Sequence, residues 1–252
     1  MSTDIAGKIA WITGASSGLG ERFSRVLAGA GAVVALSARR VERLETLAAD
    51  IVAEGGRALV VPMDATSVAD IKAAATRIES ELGAIEILVN NAGVSRQARI
   101  EAFSEANFDA VIDTNLKGPF FAAQAAAQQM IAAKRGGRIV NIASVASFRT
   151  LGHQAPYSMS KAGVAMMTQC MAREWGRHGI NTNAICPGYI RTEIGGDFWE
   201  TEAGAKLVAS LPRRRLGEPR DLDALLLLLC SGEAARFING TSIVADDGAM
   251  AF

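Results

Sequence analysis

The sequence has no excess of charge of either sign, with 26 Lys and Arg residues against 26 Asp and Glu residues in a chain of 252. Proteins that bind nucleic acids usually show a basic excess or a basic stripe, so this balance argues against a nucleic-acid partner. The most conspicuous apolar run, residues 224–230, is too short to cross a bilayer, and the N-terminus shows no apolar signal core. We therefore expect a cytoplasmic protein without membrane association.

Cysteine is also scarce, since only Cys170, Cys186 and Cys230 are present. Their wide spacing does not match a zinc site, and their odd number does not suggest a disulfide framework. We expect reduced thiols, as is usual in the cytosol, and no metal site.

Seven short β-rich runs alternate with long helical stretches. Near-continuous apolar strands separated by helices indicate a parallel sheet covered on both faces. Right-handed crossovers then favour an α/β fold, a single Rossmann-type doubly wound sheet of about seven strands with helices on both faces. Residues 1–252 are predicted to form one dinucleotide-binding and catalytic domain. The irregular stretch at about 189–219 follows the sixth strand and is predicted to be a substrate lid.

A glycine-rich turn lies between the first predicted strand and the first predicted helix, in the sequence TGASSGLG at residues 13–20. Gly14, Gly18 and Gly20 allow a tight turn, close approach of the backbone to phosphate and close packing of helix on strand. The helix that begins here offers its N-terminus to an anion. This strand–turn–helix context predicts a dinucleotide-binding loop.

The end of the second predicted strand indicates which dinucleotide is bound. Proteins that bind NAD usually place Asp or Glu there, where the acid contacts the ribose 2′-hydroxyl. This chain has Ala38 at that position, followed by Arg39 and Arg40. Two guanidinium groups can pair with a 2′-phosphate, so the sequence favours NADP over NAD.

Tyr157 and Lys161 are four residues apart, so on a helix their side chains share one face. Two unit charges ~4 Å apart at an effective dielectric near 20 interact by about 4 kcal/mol. That energy corresponds to a pKa lower by up to roughly three, which would bring a tyrosine from near 10 towards 7. A general acid/base works best in that range, so we expect Lys161 to lower the pKa of Tyr157. The pair alone is also compatible with a helix surface without chemistry.

Several motifs occur in order along the chain: TGxxxGxG at 13–20, NNAG at 90–93, Asn115, Ser144, Tyr157-x-x-x-Lys161 and Pro-Gly at 187–188. Together they closely resemble the short-chain dehydrogenase/reductase family over nearly the whole chain. The resemblance implies that Tyr157 is the catalytic acid/base and that Ser144 orients the substrate oxygen. Lys161 would lower the tyrosine pKa and bind the nicotinamide ribose, and Asn115 would hold a water in the proton relay.

The same resemblance implies a cofactor site. The residues expected to contact the dinucleotide are Gly14, Ser16, Ser17, Gly18, Leu19, Gly20, Arg39, Arg40, Asp64, Ala65, Asn91, Ala92, Gly93, Tyr157, Lys161, Pro187, Gly188, Ile190 and Thr192. Among them, Asp64 is expected to receive the adenine amino group.

The predicted substrate site consists of Ser144, Val145, His153, Gln154, Tyr157, Phe198 and Trp199. The resemblance implies Ser144, Val145, Gln154 and Tyr157, whereas Phe198 and Trp199 are included because aromatic side chains on a lid often contact an apolar ligand. His153 precedes Tyr157 by about one turn and would face the same region if the helix extended to it. The side chains around the expected pocket are mainly uncharged, so we expect a small neutral ketone or aldehyde.

The sequence thus predicts an NADP(H)-dependent carbonyl reductase or alcohol dehydrogenase. A 3-oxoacyl-thioester reductase and a non-catalytic NADP-binding regulator remain alternatives. Small residues at 120–130 permit close helix approach, and the resemblance implies that this helix pairs across a subunit interface. A homotetramer or homodimer is therefore expected, with the tail at 246–252 as a further contact.

Overall fold

The structure, a computed structural model, describes residues 4–250. Seven strands form one sheet in the order β3-β2-β1-β4-β5-β6-β7, and all neighbouring strands are parallel. The strands are β1 Ile9–Thr13, β2 Val33–Ser37, β3 Arg57–Val60, β4 Ile87–Asn90, β5 Gly137–Ile142, β6 Ile180–Pro187 and β7 Ser242–Ala245. The fold predicted from the sequence is confirmed.

Helices connect the strands and cover the sheet. They are α1 Gly18–Gly29, α2 Val41–Ala53, α3 Val68–Glu81, α4 Glu105–Ile112, α5 Gly118–Ala133, α6 Ala155–Trp175, α7 Glu202–Ser210 and α8 Asp223–Cys230. Helices α4 and α5 follow one another directly, and a π-helical turn, Asp113–Lys117, lies between them.

Two hydrophobic cores lie on opposite faces of the sheet, because successive strand residues point to opposite sides. Ile9 and Trp11 of β1 belong to the core formed with α3, α5 and α6. Ala10 and Ile12 belong to the core formed with α1, α2 and α8. Strands buried on both faces account for the near-continuous apolar runs in the sequence.

The strand order reverses between β1 and β4, which places a crevice at the carboxyl ends of these two strands. Ligands of doubly wound sheets bind at such a switch point. The loops after β1, β4, β5 and β6 all emerge at this edge, so the fold brings together motifs that are far apart in the sequence.

Two further expectations concern the chain's surroundings. Within residues 4–250, no helix is both long and apolar enough to cross a membrane. The C-terminal tail expected at a subunit contact includes Ala251 and Phe252, which lie outside the described residues.

Candidate active site

The glycine loop after β1 is bonded directly to the NNAG loop after β4. The Thr13 hydroxyl accepts hydrogen bonds from the backbone amides of Asn91 and Ala92, at 3.0 and 3.1 Å. The Asn91 side-chain amide donates to the Gly14 carbonyl at 3.2 Å. A Cβ atom on Gly14 would lie 2.8 Å from the Ala92 Cα, so only glycine allows this approach.

The first turn of α1 is open to an anion. Ser17 is the N-cap of α1, and its side chain makes no capping hydrogen bond within the described chain, so the first amides have no acceptor from it. Gly18 has φ +57, and a Cβ on Gly20 would lie 2.1 Å from the Gly14 carbonyl oxygen. Backbone N–H groups at a helix N-terminus, within a loop that excludes side chains, fit the pyrophosphate of a dinucleotide.

A cluster of donors lies beside this turn. Arg40 Nε and Nη2 donate to the Ser16 hydroxyl at 3.2 and 3.1 Å, and Nη2 donates to the Ser17 hydroxyl at 2.5 Å. Arg40 Nη1 and Arg43 Nη1 also donate to the two carboxylate oxygens of Glu193, at 3.0 and 2.6 Å. The sequence offered no sign of Arg43 or Glu193, because the acid lies 153 positions from Arg40.

The neighbouring Arg39 acts through its charge on Asp64. One carboxylate oxygen of Asp64 accepts hydrogen bonds from the amide and hydroxyl of Thr66, at 2.9 and 2.8 Å. These bonds, with a smaller contribution from the charge of Arg39, hold the pKa of Asp64 below its ordinary value. Asp64 is therefore a charged acceptor at neutral pH.

The remaining residues expected to contact the cofactor lie along the same edge. Thr192 lies against the glycine loop, since a Cβ on Gly18 would be 3.4 Å from the Thr192 Cβ. Gly188 donates its amide to the Ala245 carbonyl at 3.0 Å, directly after Pro187 at the end of β6. Leu19 lies in the first turn of α1, Ala65 lies in the loop after β3, and Ile190 lies in the segment after β6.

Ser144, Tyr157 and Lys161 meet below the carboxyl end of β5. Lys161 is 5% exposed, and its ammonium donates to the Ile142 carbonyl at 2.7 Å. The same nitrogen lies 5.7 Å from the centroid of the Tyr157 ring. Ser147 donates its hydroxyl to the Lys161 carbonyl at 2.8 Å and so supports the backbone of α6 at that residue. The sequence did not predict this contact. Helix α6 and the loop after β5 thus fix the acid/base candidate and its neighbours.

The pKa of Tyr157 is not lowered in this structure, contrary to what the spacing of Tyr157 and Lys161 predicts. Burial raises the pKa of the Tyr157 phenol above its ordinary value, and a hydrogen bond with Ser144 offsets only part of this effect. Burial also lowers the pKa of Lys161, to about 8. The spacing of the pair predicted the shared face correctly, but it carried no information on burial, which disfavours both charged forms.

Asn115 lies in the π-helical turn and is 1% exposed. Its side chain bonds to both backbone groups of Val94, accepting at 2.8 Å and donating at 2.9 Å, and it donates to the Ser160 hydroxyl at 3.2 Å. A Cβ on Gly93 would lie 3.5 Å from Asn115 Oδ1 and 3.8 Å from Lys161 Nζ. The π turn therefore brings Asn115 close to Gly93, which Lys161 also approaches.

Polar groups form a wall at the start of α6, the helix that carries Tyr157. The Ser95 hydroxyl donates to Gln154 Oε1 at 3.2 Å, and the Ala98 amide donates to the His153 carbonyl at 3.0 Å. Helix α6 begins at Ala155 and does not extend to His153, which has φ +61 and an exposed side chain. The helical register assumed for His153 is therefore wrong. Val145 is 2% exposed, so only a small part of it can face a ligand.

The aromatic side chains that follow β6 contact one another. The Trp199 ring packs edge-on against Phe198 and Tyr189, with centroids 5.2 and 6.0 Å apart. Within residues 4–250, no group of three or more His, Cys, Asp or Glu side chains is arranged to hold a metal ion. The groups that the site brings together are a phenol, an ammonium, a hydroxyl and an amide, beside a crevice that fits a dinucleotide.

Comparisons with known proteins agree with this arrangement. A family model described as short chain dehydrogenase matches residues 8–203. The chain is 39% identical to the 2-dehydro-3-deoxy-D-gluconate 5-dehydrogenase of Escherichia coli (strain K12), over 98% of this chain and 97% of that protein. It is 36% identical to the NAD-dependent glycerol dehydrogenase of Listeria innocua serovar 6a (strain ATCC BAA-680 / CLIP 11262), over 97% and 94%. It resembles the solved structure of a gluconate 5-dehydrogenase from Burkholderia cenocepacia J2315 in complex with NADP and tartrate, with TM-score 0.94, 37% identity and coverage of 98% and 96%.

Proposed function

The chain belongs to the short-chain dehydrogenase family, and from that premise we propose which cofactor, residues and substrates it uses. It is an NAD(P)-dependent oxidoreductase that interconverts an alcohol and its carbonyl compound. We propose that it prefers NADP(H), that Tyr157 is the acid/base, and that the substrate is a small hydroxylated alcohol or ketone. The observation that carries the proposal is the convergence of Ser144, Tyr157 and Lys161 beside the glycine loop crevice.

In the proposed mechanism, four side chains have separate roles. The nicotinamide cofactor, when bound, supplies or accepts the hydride. Tyr157 donates its proton to the carbonyl oxygen in reduction and takes it back in alcohol oxidation. The Ser144 hydroxyl orients that oxygen by hydrogen bonding. Lys161 and Asn115 lie behind the phenol, where they position the proton path and the ribose.

The preference for NADP(H) is supported by the basic groups near Ala38. Arg39 and Arg40 are exposed, and Arg40 contacts the serines of the glycine loop. No carboxylate stands at the Ala38 position to bond a 2′-hydroxyl or repel a 2′-phosphate. The glycerol dehydrogenase of Listeria innocua is named as NAD-dependent, so the preference has to be measured.

The substrate class is supported by the polar wall. Ser95 and Gln154 form a hydrogen-bonded pair of uncharged groups that can exchange partners with substrate hydroxyls. A sugar acid is the second candidate, because Arg96 adjoins this wall and is exposed. The relatives named above act on glycerol or on gluconate-type acids, as their names state. Neither the thioester reductase nor the non-catalytic regulator has comparable support.

A panel of substrates with both cofactors tests the proposal. We expect NADP⁺ reduction, followed by absorbance of the nicotinamide, with one or more of threitol, glycerol, galactitol and gluconate. NAD⁺ should support lower kcat/KM, by about tenfold or more, because it cannot pair with the arginines. A higher kcat/KM with NAD⁺ than with NADP⁺ would contradict the proposed cofactor preference. Turnover of acetoacetyl thioesters and of no other substrate in the panel would contradict the proposed substrate class.

The pH dependence of the two directions should differ. Alcohol oxidation requires deprotonated Tyr157, and burial raises the pKa of that phenol above its ordinary value. We therefore expect kcat/KM for oxidation to rise with pH and still be rising near pH 10, about the ordinary tyrosine value. Reduction requires the protonated phenol, so its kcat/KM should be level around neutrality and fall only in the alkaline range. Measured profiles in which reduction already declines between about pH 6 and 7 would contradict this assignment.

Three broader features follow from the same proposal. We propose that residues 189–219 form a substrate lid, as their place after β6 suggests.

We propose a homotetramer or homodimer, since an apolar groove of about 810 Å³ between α5 and α6 includes the half-exposed Phe120 and Met166. Light scattering on the purified chain measures the assembly. The three cysteines are free, which supports a cytoplasmic location.

A further inference from the structure

An acid from the lid occupies a cluster of donors beside the glycine loop. Arg40 donates to the hydroxyls of Ser16 and Ser17 and, at 3.0 Å, to one carboxylate oxygen of Glu193. Arg43 donates to the other carboxylate oxygen at 2.6 Å. Two guanidinium groups therefore converge on one carboxylate, and the hydroxyls of Ser16 and Ser17 hold one of them in place by accepting its other hydrogen bonds. Paired guanidinium donors of this kind form an anion site.

A carboxylate and a phosphate monoester make the same demands on such a site. Both are compact anions whose oxygens accept paired hydrogen bonds from guanidinium. On the proposed function, Arg40 is also the residue expected to bind the 2′-phosphate of NADP. A phosphate with a charge of about −1.5 to −2 cannot share these arginines with Glu193 without like-charge repulsion.

The ion pairs also fasten the start of the lid to the cofactor loop. Glu193 follows Thr192, whose side chain lies against Gly18. Gly195 and Gly196 come soon after, and Gly196 has φ +50. A Cβ on Gly196 would meet no atom of residues 4–250 within 4 Å, so the chain has room to bend there. The arginines hold Glu193 charged, because their hydrogen bonds, first that of Arg43 and then that of Arg40, lower its pKa.

We propose that Glu193 is a specificity-determining residue that competes with the 2′-phosphate of NADP for Arg40 and Arg43. The inference rests on the proposed function, in which those arginines favour NADP. NAD, which has no 2′-phosphate, leaves the ion pairs intact, whereas NADP has to displace Glu193. The acid therefore moderates the preference for NADP and couples the position of the lid to the cofactor that is bound.

Binding of two adenosine nucleotides tests the competition without turnover. Calorimetry would compare adenosine 2′,5′-bisphosphate with adenosine 5′-monophosphate on the wild-type chain, on Glu193→Gln and on the matched control Glu200→Gln. We expect Glu193→Gln to bind the bisphosphate about three- to tenfold more tightly, because two half-exposed ion pairs are removed, and to bind the monophosphate within about twofold of wild type. Glu200, whose partner is Arg191 at 3.4 Å, should have no effect when replaced.

Limited trypsin digestion tests the coupling to the lid, because Arg191 and Lys206 lie within it and are exposed on either side of Glu193. The bisphosphate, but not the monophosphate, should speed cleavage of the wild-type lid, and Glu193→Gln should be cleaved quickly without ligand. Equal or weaker binding of the bisphosphate by Glu193→Gln would overturn the inference. If wild type binds both nucleotides equally and Arg40→Ala changes neither affinity, the NADP preference itself fails, which is a different result.

Discussion

Replacement of Tyr157 by Phe is expected to lower kcat by about 10²- to 10⁴-fold, the usual contribution of a positioned general acid/base. The ring still fills its place between Ser144 and Lys161, so the fold and the cofactor site should persist. The variant removes the phenolic hydroxyl whose proton is passed to a carbonyl oxygen in the proposed mechanism. Steady-state rates and a nicotinamide fluorescence titration would measure turnover and cofactor affinity separately.

The chain provides a matched control, because it has only two tyrosines. Tyr189 lies at the start of the proposed lid and packs edge-on against Trp199, with ring centroids 6.0 Å apart. Its replacement by Phe keeps that contact, so kcat should stay within about threefold of wild type. If Tyr157→Phe retained more than about a tenth of the wild-type kcat, the acid/base would have to be sought elsewhere in the site.

Replacement of Gly20 by Ala is expected to destabilise the fold by about 1–3 kcal/mol and to weaken cofactor binding by at least about tenfold. The new Cβ would lie 2.1 Å from the Gly14 carbonyl oxygen and 2.5 Å from Asn91 Nδ2. Both atoms belong to the contact between the glycine loop and the NNAG loop. Since neither can move without opening the crevice, the strain should affect the free energy of unfolding and the dinucleotide affinity together.

Gly29, at the other end of α1, is the control for this substitution. In the described part of the chain nothing lies within 4 Å of a Cβ at that position, so Gly29→Ala should be neutral or stabilise the protein by up to about 1 kcal/mol. Denaturant unfolding and calorimetric titration with NADP⁺ would measure both variants. Unchanged NADP⁺ affinity in Gly20→Ala would contradict the assignment of the glycine loop as the pyrophosphate site.

The sheet could be predicted from the sequence because strands buried on both faces have a one-dimensional signature. Runs such as residues 8–13 and 32–38 are apolar almost throughout, and the helices between them have the length that crossovers need. The glycine loop and the Tyr157–Lys161 pair were also accessible, since each is a local spacing. These features depend on neighbours in the chain, and a sequence records neighbours directly.

The parts that the sequence did not reveal depend on distant contacts or on solvent. The ion pair between Arg40 and Glu193 joins residues 153 positions apart, and no local pattern marks it. The raised pKa of Tyr157 depends on how much water the surrounding elements exclude. The place of His153 depends on its φ of +61, which is uncommon for any residue other than glycine.

The π-helical turn at Asp113–Lys117 also determines how far α5 is rotated about its axis relative to α4. A π turn is equivalent to one additional residue within an otherwise continuous helix, and each residue turns an α-helix by about 100°. Without that residue, everything from Gly118 to Ala133 would present a face rotated by about this angle relative to α4. The position of Asn115 beside Val94 and Ser160 and the side of α5 that faces outward beside α6 are therefore set by the same local insertion. A change in the length of this turn would disturb the proton path and the proposed subunit contact at once.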